Sequence, residues 1–329
     1  MGKLVDQYNR QINYLRISVT DRCNLRCIYC MPLEGLPQVE PAKILSYEEL
    51  FKIAQVATLK GISKIRITGG EPLVRKDLVK FVEMLSQLPA ITDLSMTTNG
   101  ILLKEFSQPL SDAGLKRINI SLDSLKEDRY REITRGGDLK RVWKGIDAAK
   151  NARISPIKIN TVVMMGLNDD ELIDFARLSL EHPYQIRFIE YMPVGPSNGW
   201  EKGKYVTCTE MLQKINSFLP LSPVNGSQTN GPAKLYRFPK GKGEVGFISP
   251  LSQHFCKTCN RLRLTADGKL RTCLFSDEEI DLKNALRKGA REEELKDLFD
   301  LAIHHKPERH NITDPVFKKC TRHMVTIGG

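Results

Sequence analysis

Six short β-branched runs, near 14 to 20, 64 to 69, 93 to 98, 116 to 122, 156 to 163 and 185 to 191, alternate with helical stretches over the first two-thirds of the chain. That order is the pattern of βα units around a parallel sheet. Ser46-Tyr-Glu-Glu49 predicts a capping box ahead of an apolar-periodic helix ending at Gly61, and Asn168-Asp-Asp-Glu171 predicts another before the helix that precedes the last strand. Six units fit an open, partial barrel better than a closed eight-stranded one. The segment Met192 to Lys204, with Pro193, Gly195, Pro196, Asn198 and Gly199, reads as a linker that ends the barrel. Beyond it the sequence predicts a helix capped by Thr207 and Glu210, a loop at 222 to 232 with no assigned role, strands around 234 to 249 and 261 to 272, and helices near 280 to 304. The expected fold class is α/β: a partial (β/α)6 TIM-like barrel over 1–200, then a smaller α+β C-terminal region over 201–329.

Strands of a buried parallel barrel should be nearly continuous apolar runs. Several here are not. Arg16, Ser18 and Thr20 alternate with Ile17 and Val19; Lys64, Arg66 and Thr68 alternate with Ile65 and Ile67; Arg117, Asn119, Ser121 and Asp123 alternate with Ile118, Ile120 and Leu122. Lys158, Asn160 and Arg187 continue the series. Period two puts each polar set on one face of its strand. Either that face is exposed at the barrel's open edge, or the cations line a lumen where only water or an anion makes their burial tolerable. A multiply charged substrate such as a triphosphate would answer the second arrangement, because Arg forks match phosphate oxygens and Lys supplies a point charge.

Cys23, Cys27 and Cys30 follow the first strand as C-x3-C-x2-C. Three thiols fall one short of a closed tetrahedral zinc site, whereas a cubane iron–sulfur cluster on three thiolates keeps one iron open. A zinc site completed from elsewhere is the alternative. With Tyr29 before the last Cys, the triplet resembles the signature of the radical S-adenosylmethionine (SAM) enzymes, whose unique iron chelates SAM. Gly69-Gly70-Glu71-Pro72, after the second strand, resembles that superfamily's glycine motif. The resemblance implies that Tyr29, Gly70, Ser121 and Met192 contact SAM.

Cys256, Cys259 and Cys273 form a second triplet, C-x2-C-x13-C, again one thiolate short. Zinc completed by His254 competes with a second open cubane. Arg261 and Arg263 share a strand face immediately beside it, which a structural zinc knuckle does not need. The two triplets, the Cys-Asn-Arg-Leu-Arg run and the terminal Gly328-Gly329 together resemble the GTP 3′,8-cyclase family, the molybdenum-cofactor biosynthesis protein A family, over essentially the full length. The resemblance implies two 4Fe-4S clusters, the second with its open iron on the guanine of GTP. It implies GTP contacts from Arg16, Arg66, Thr97, Lys158, Arg261 and Arg263, with Lys64 and Arg187 as additional contacts. Gly328 and Gly329 would reach into the active site, where residues without side chains approach a crowded substrate; a frayed tail is the plainer alternative.

What the family does is then the expected function. A 5′-deoxyadenosyl radical abstracts the ribose C3′ hydrogen of GTP and the carbon radical attacks guanine C8, giving (8S)-3′,8-cyclo-7,8-dihydroguanosine 5′-triphosphate at the first step of molybdenum cofactor biosynthesis. The implied partners are an electron donor and a downstream cyclic pyranopterin monophosphate synthase, and a homodimer is compatible with the resemblance. A radical SAM enzyme modifying a peptide, and a zinc-stabilised nucleic-acid-binding protein, are the competing readings. Net charge is +11 over 329 residues, but no run of five or six Lys/Arg and little aromatic interleaving marks a nucleic-acid surface. No apolar run approaches a membrane span, and eight cysteines without a secretory signal argue for metal or catalytic use in a reducing compartment. The expected location is cytoplasmic, with neither membrane nor nucleic acid as partner.

Overall fold

The structure is a computed structural model that describes residues 2–37, 39–196, 202–224, 231–312 and 319–328. Six parallel strands form where the alternation places them: β1 (Tyr14–Ser18), β2 (Lys64–Thr68), β3 (Asp93–Thr98), β4 (Arg117–Ser121), β5 (Ile157–Val163) and β6 (Gln185–Glu190). The crossovers are α1 (Tyr47–Leu59), α2 (Leu78–Ser86), α3 (Leu103–Asp112), the pair α4 (Glu127–Thr134) and α5 (Leu139–Asn151), and α6 (Leu172–Glu181). The remainder supplies α7 (Cys208–Phe218), strands β7 (Ser222–Pro223), β8 (Lys234–Arg237), β9 (Glu244–Ile248), β10 (Arg261–Leu264), β11 (Lys269–Arg271) and β12 (Ile280–Asp281), and helices α8 (Leu282–Arg287), α9 (Glu292–His304) and α10 (Met324–Ile327).

Among the described residues, twelve strands join one sheet in the order β12-β11-β10-β1-β2-β3-β4-β5-β6-β9-β8-β7. The C-terminal part therefore does not simply follow the barrel. It extends both edges, β10 lying parallel to β1 and β9 parallel to β6, each backed by an antiparallel hairpin. Those added strands lie far from their partners in sequence, and local alternation carries no sign of them.

The apolar half of each strand packs outward on the helices. Ile17, Ile65, Ile67, Met96, Ile120, Ile159 and Phe188 are completely buried, and each such side chain contributes roughly 1.5–3 kcal/mol. The helices start as their sequences dictate. Ser46 Oγ accepts from Glu49 N while Glu49 Oε2 accepts from Ser46 N, and Thr207 with Glu210 repeats the device at α7.

The second predicted box does not form. Asn168 instead accepts from Met164 N and donates to the Asp123 and Val162 carbonyls, while the Glu171 carboxylate takes Ser124 Oγ and Leu125 N. Residues 169–171 make a 3-10 turn with no side-chain cap. Glu171 thus satisfies an amide of the loop after β4, and Asn168 ties that loop to the end of β5 and the turn after it. In the 192–204 linker, 197–201 lie outside the described residues, so Asn198 and Gly199 are not placed. Of the 222–232 loop, β7 and residues 231–232 are described and 225–230 are not. Among the described residues no helix is long and apolar enough to cross a membrane.

Candidate active site

The polar half of each strand faces the lumen and is buried. Arg66, Arg117, Lys158, Arg187 and Arg263 are each less than 10% exposed, which disposes of an exposed sheet edge. Strand register stacks these side chains in staggered rows. Arg263, Arg16 and Arg66 are Cα partners across β10, β1 and β2, on strands about 4.8 Å apart. Thr97, Asn119 and Lys158 form the next row, and Ser121, Asn160 and Arg187 the one above. Three adjacent guanidiniums repel one another. Burial and then Arg263 and Arg66 hold Arg16 well below its ordinary range, and burial followed by Arg261 pushes Arg263 down to about 10. An anion relieves that cost.

Arg117 is already neutralised by a carboxylate. Its Nε donates to Asp93 Oδ1 at 2.6 Å, and Nη2 pairs with Oδ2. It closes the lower end of the lumen and leaves the anion face to the others.

Cys23, Cys27 and Cys30 sit in the loop after β1, which is pinned by Gly70 N to Thr20 O and Ile28 N to Ile133 O. A Cβ on Gly70 would fall 2.8 Å from Val325 Cγ2 and closer still to Arg22 O, so only glycine fits between loop and tail. Leu25 N donates to Cys23 Sγ and Val325 N to Cys30 Sγ. Burial pushes the Cys23 thiol up to about 11 and Cys30 up to about 12. Tyr29 OH donates to Asp123 Oδ2 at 2.7 Å.

Cys256 opens the turn Cys256–Thr258, Cys259 precedes β10 and Cys273 follows β11. Burial raises the Cys259 thiol, but Arg261 and Lys306 outweigh it and hold the group down at about 6. His254 packs edge-on against His310, ring centroids 5.4 Å apart. Among the described residues no group of three His, Cys, Asp or Glu is drawn together around one metal ion; a cubane asks for wider spacing. Cys208 and Cys320 are buried, Cys320 in an apolar cluster against which Cys273 packs.

One continuous cavity of about 310 Å³ is lined by all six triplet cysteines. Arg16, Arg66, Thr97, Arg187, Arg261 and Arg263 line it, and so do Tyr29, Gly70, Ser121 and Met192. Lys64 and Lys158 do not. Lys64 begins β2, and Lys158, in the row with Thr97 and Asn119, is pushed down to about 6 by burial and then by Arg187, Arg117 and Arg66. The Gly328 carbonyl accepts from Thr68 Oγ1 at 3.1 Å, Arg16 Nη2 at 3.3 Å and Arg263 Nη1 at 3.4 Å. Gly328 has φ +83°, and a Cβ there would lie 2.5 Å from Thr68 Oγ1. Gly329 lies outside the described residues.

Sequence reasoning gave no role to Asn119, Asn160, Asn99 or Lys306, which also line the cavity. Asn119 and Asn160 were visible as polar members of strand alternations; Asn99 and Lys306 sit in turns without a period. Among the described residues, Thr97 Oγ1, both amide atoms of Asn119, Asn160 Oδ1, Arg16 Nε and Arg187 Nε are buried with no hydrogen-bond partner. Buried polar atoms are rarely left so, and their gathering in one wall fits a polar, anionic guest. The thiol triplets fit iron–sulfur clusters, soft donors at one end of each open site.

Two family models match this chain in tandem, the radical SAM superfamily over 17–179 and molybdenum cofactor synthesis C over 184–312. The chain is 53% identical over 326 residues to the GTP 3′,8-cyclase of Thermodesulfovibrio yellowstonii, spanning 98% of this chain and 99% of that one. The chain belongs to the GTP 3′,8-cyclase family. The cyclase of Moorella thermoacetica is 52% identical over 98% of this chain and 99% of its own. Membership makes this chain a radical SAM lyase of molybdenum cofactor biosynthesis, using SAM and an iron–sulfur cluster. Streptococcus suis SuiB, solved bound to S-adenosylmethionine, shares the fold at TM-score 0.58 and 14% identity, over 88% of this chain and 69% of that one.

Proposed function

We propose that this chain converts GTP to (8S)-3′,8-cyclo-7,8-dihydroguanosine 5′-triphosphate, with one 4Fe-4S cluster on Cys23, Cys27 and Cys30 and a second on Cys256, Cys259 and Cys273. The observation that carries this reading is the row Arg263–Arg16–Arg66 in a cavity with a thiol triplet on either side. Residues 1–200 then form the SAM half and 201–329 the auxiliary-cluster half. Bound to the first triplet, a cluster would supply the electron that splits SAM into methionine and the 5′-deoxyadenosyl radical used at ribose C3′, and one further electron and proton would complete the closure of C3′ on guanine C8.

The protein's own part is binding, orientation and exclusion of water. Gly70, Ser121, Met192 and Tyr29 hold SAM, with Asp123 fixing the Tyr29 ring through its hydroxyl. Arg16, Arg66, Arg187, Arg261 and Arg263 neutralise the triphosphate from the cavity wall, and Thr97 offers a hydroxyl with no other partner. Lys158 and Lys64 add charge. Gly328 brings backbone to the arginine row where any side chain would strike Thr68 or Ser18. Hydrogen abstraction requires no acid or base from the chain. The product passes to a cyclic pyranopterin monophosphate synthase, and an electron donor serves the first cluster.

A peptide substrate finds no comparable support, since likeness to SuiB shows the fold alone. The test is 5′-deoxyadenosine formation by anaerobically reconstituted protein with SAM and reductant, with and without GTP. A strong rise with GTP supports the reading; cleavage indifferent to GTP breaks it.

A further inference from the structure

Lys306 follows α9 in a turn and is 2% exposed. Its Nζ donates to the Thr272 carbonyl at 2.6 Å and to the Arg261 carbonyl at 3.1 Å, and lies 3.8 Å from Cys259 Sγ. Thr272 immediately precedes Cys273, and Arg261 stands two residues after Cys259. One ammonium thus ties together the two arms that carry two of the three thiols.

Among the described residues Lys306 makes no ion pair with a carboxylate. Burying an ammonium without a counter-charge costs several kcal/mol, so an anion belongs beside it, and the groups in reach are thiolates. Arg10 makes the contrast. It grips the Cys256 carbonyl at 2.9 Å and the Pro307 carbonyl at 2.7 Å, but Asp6 cancels its charge at 2.5 Å. Arg10 fixes geometry at this triplet; Lys306 fixes geometry and leaves a net positive charge.

We propose that Lys306 is the built-in counter-charge of the second cluster, a positioning residue that holds the Cys259 and Cys273 arms together and raises the cluster's reduction potential. Resting on the two-cluster reading above, it goes beyond it by naming what sets the second cluster's redox poise. A fixed cation beside a cluster favours the reduced form, which carries one more negative charge, and hydrogen bonds and charge at the sulfurs are the protein's levers on potential.

The test uses the full chain carrying Cys23→Ala, Cys27→Ala and Cys30→Ala, reconstituted anaerobically, so that only the second triplet can hold iron. Roughly four irons per chain are expected. A protein that folds by circular dichroism and binds no iron would sink the two-cluster reading itself, independently of Lys306. In that background Lys306→Met and Lys306→Gln are titrated electrochemically with electron paramagnetic resonance as readout. We expect the midpoint to fall by about 59 mV, a tenfold change in the one-electron equilibrium, with Lys306→Arg restoring most of it. Folded Met and Gln variants that no longer load iron support the holding role. Unchanged iron content and midpoint overturn the proposal, and so does loss of the fold in both variants, which would make Lys306 a structural lysine.

Discussion

The two cysteine triplets look alike in sequence and differ in their surroundings. The first faces buried carboxylates: Glu71 disfavours the charged form of Cys23, Asp123 that of Cys27, and burial dominates both shifts. The second is flanked by Arg261 and Lys306, which hold Cys259 at about 6 against its burial. A thiol count cannot show this. Negative neighbours disfavour an added electron and positive ones favour it, so on the two-cluster reading proposed above a cluster on the first triplet would have the lower potential of the two.

The largest effect should come from removing a single thiol. Cys27→Ser should abolish 5′-deoxyadenosine formation, whereas Cys259→Ser should keep SAM cleavage and lose cyclisation, both read by chromatography of the products. Equal loss in the two variants would erase the contrast between the triplets. Next in size are the guanidiniums between them. Arg16→Ala or Arg263→Ala should weaken GTP binding by about 10- to 100-fold, as expected for one charge-assisted hydrogen bond, with SAM affinity little changed; calorimetry with each ligand separates the two. Deleting Gly328 and Gly329 should lower cyclisation more than SAM cleavage without shifting the thermal midpoint, and full activity in the truncated protein would reduce the tail to a frayed end.

The smallest effect concerns pH. Because Lys158 is pushed down to about 6 by burial and then by neighbouring arginines, its amine is mostly neutral above that pH in the free chain. If the triphosphate binds as proposed above, its charge would restore the proton to Lys158. Binding therefore takes up a proton between about pH 6 and the ordinary lysine range, and affinity falls as pH rises through that window. Calorimetry at pH 8 in buffers of different ionisation enthalpy reads the proton directly; zero uptake would contradict the shift.

What was legible in the sequence was what repeats locally. Period-two alternation located β1 to β6 within a residue or two and marked Arg16, Arg66 and Arg187 as lumen residues, because a strand's two faces are written in adjacent positions. The pairing of β10 with β1 was not legible, since nothing near Arg263 names its neighbour Arg16. Arg117 carried the same pattern as the others, and only the structure reveals the Asp93 carboxylate that occupies it. Asn168 and Glu171 spelled a helix start and were drawn away by the loop after β4. Family membership rested on motifs, and the surroundings of those motifs had to be seen in three dimensions.

The sheet's long-range pairing also bears on how the chain is made. Asn260 bonds Asn13 across 247 residues, just ahead of the β10–β1 ladder, so the open edge of β1 waits until most of the polypeptide has emerged. An unpaired edge is the place where a nascent chain finds wrong partners. Until β10 docks, one guanidinium of the Arg263–Arg16–Arg66 row is missing, so on the function proposed above tight nucleotide binding would report completed assembly of the sheet.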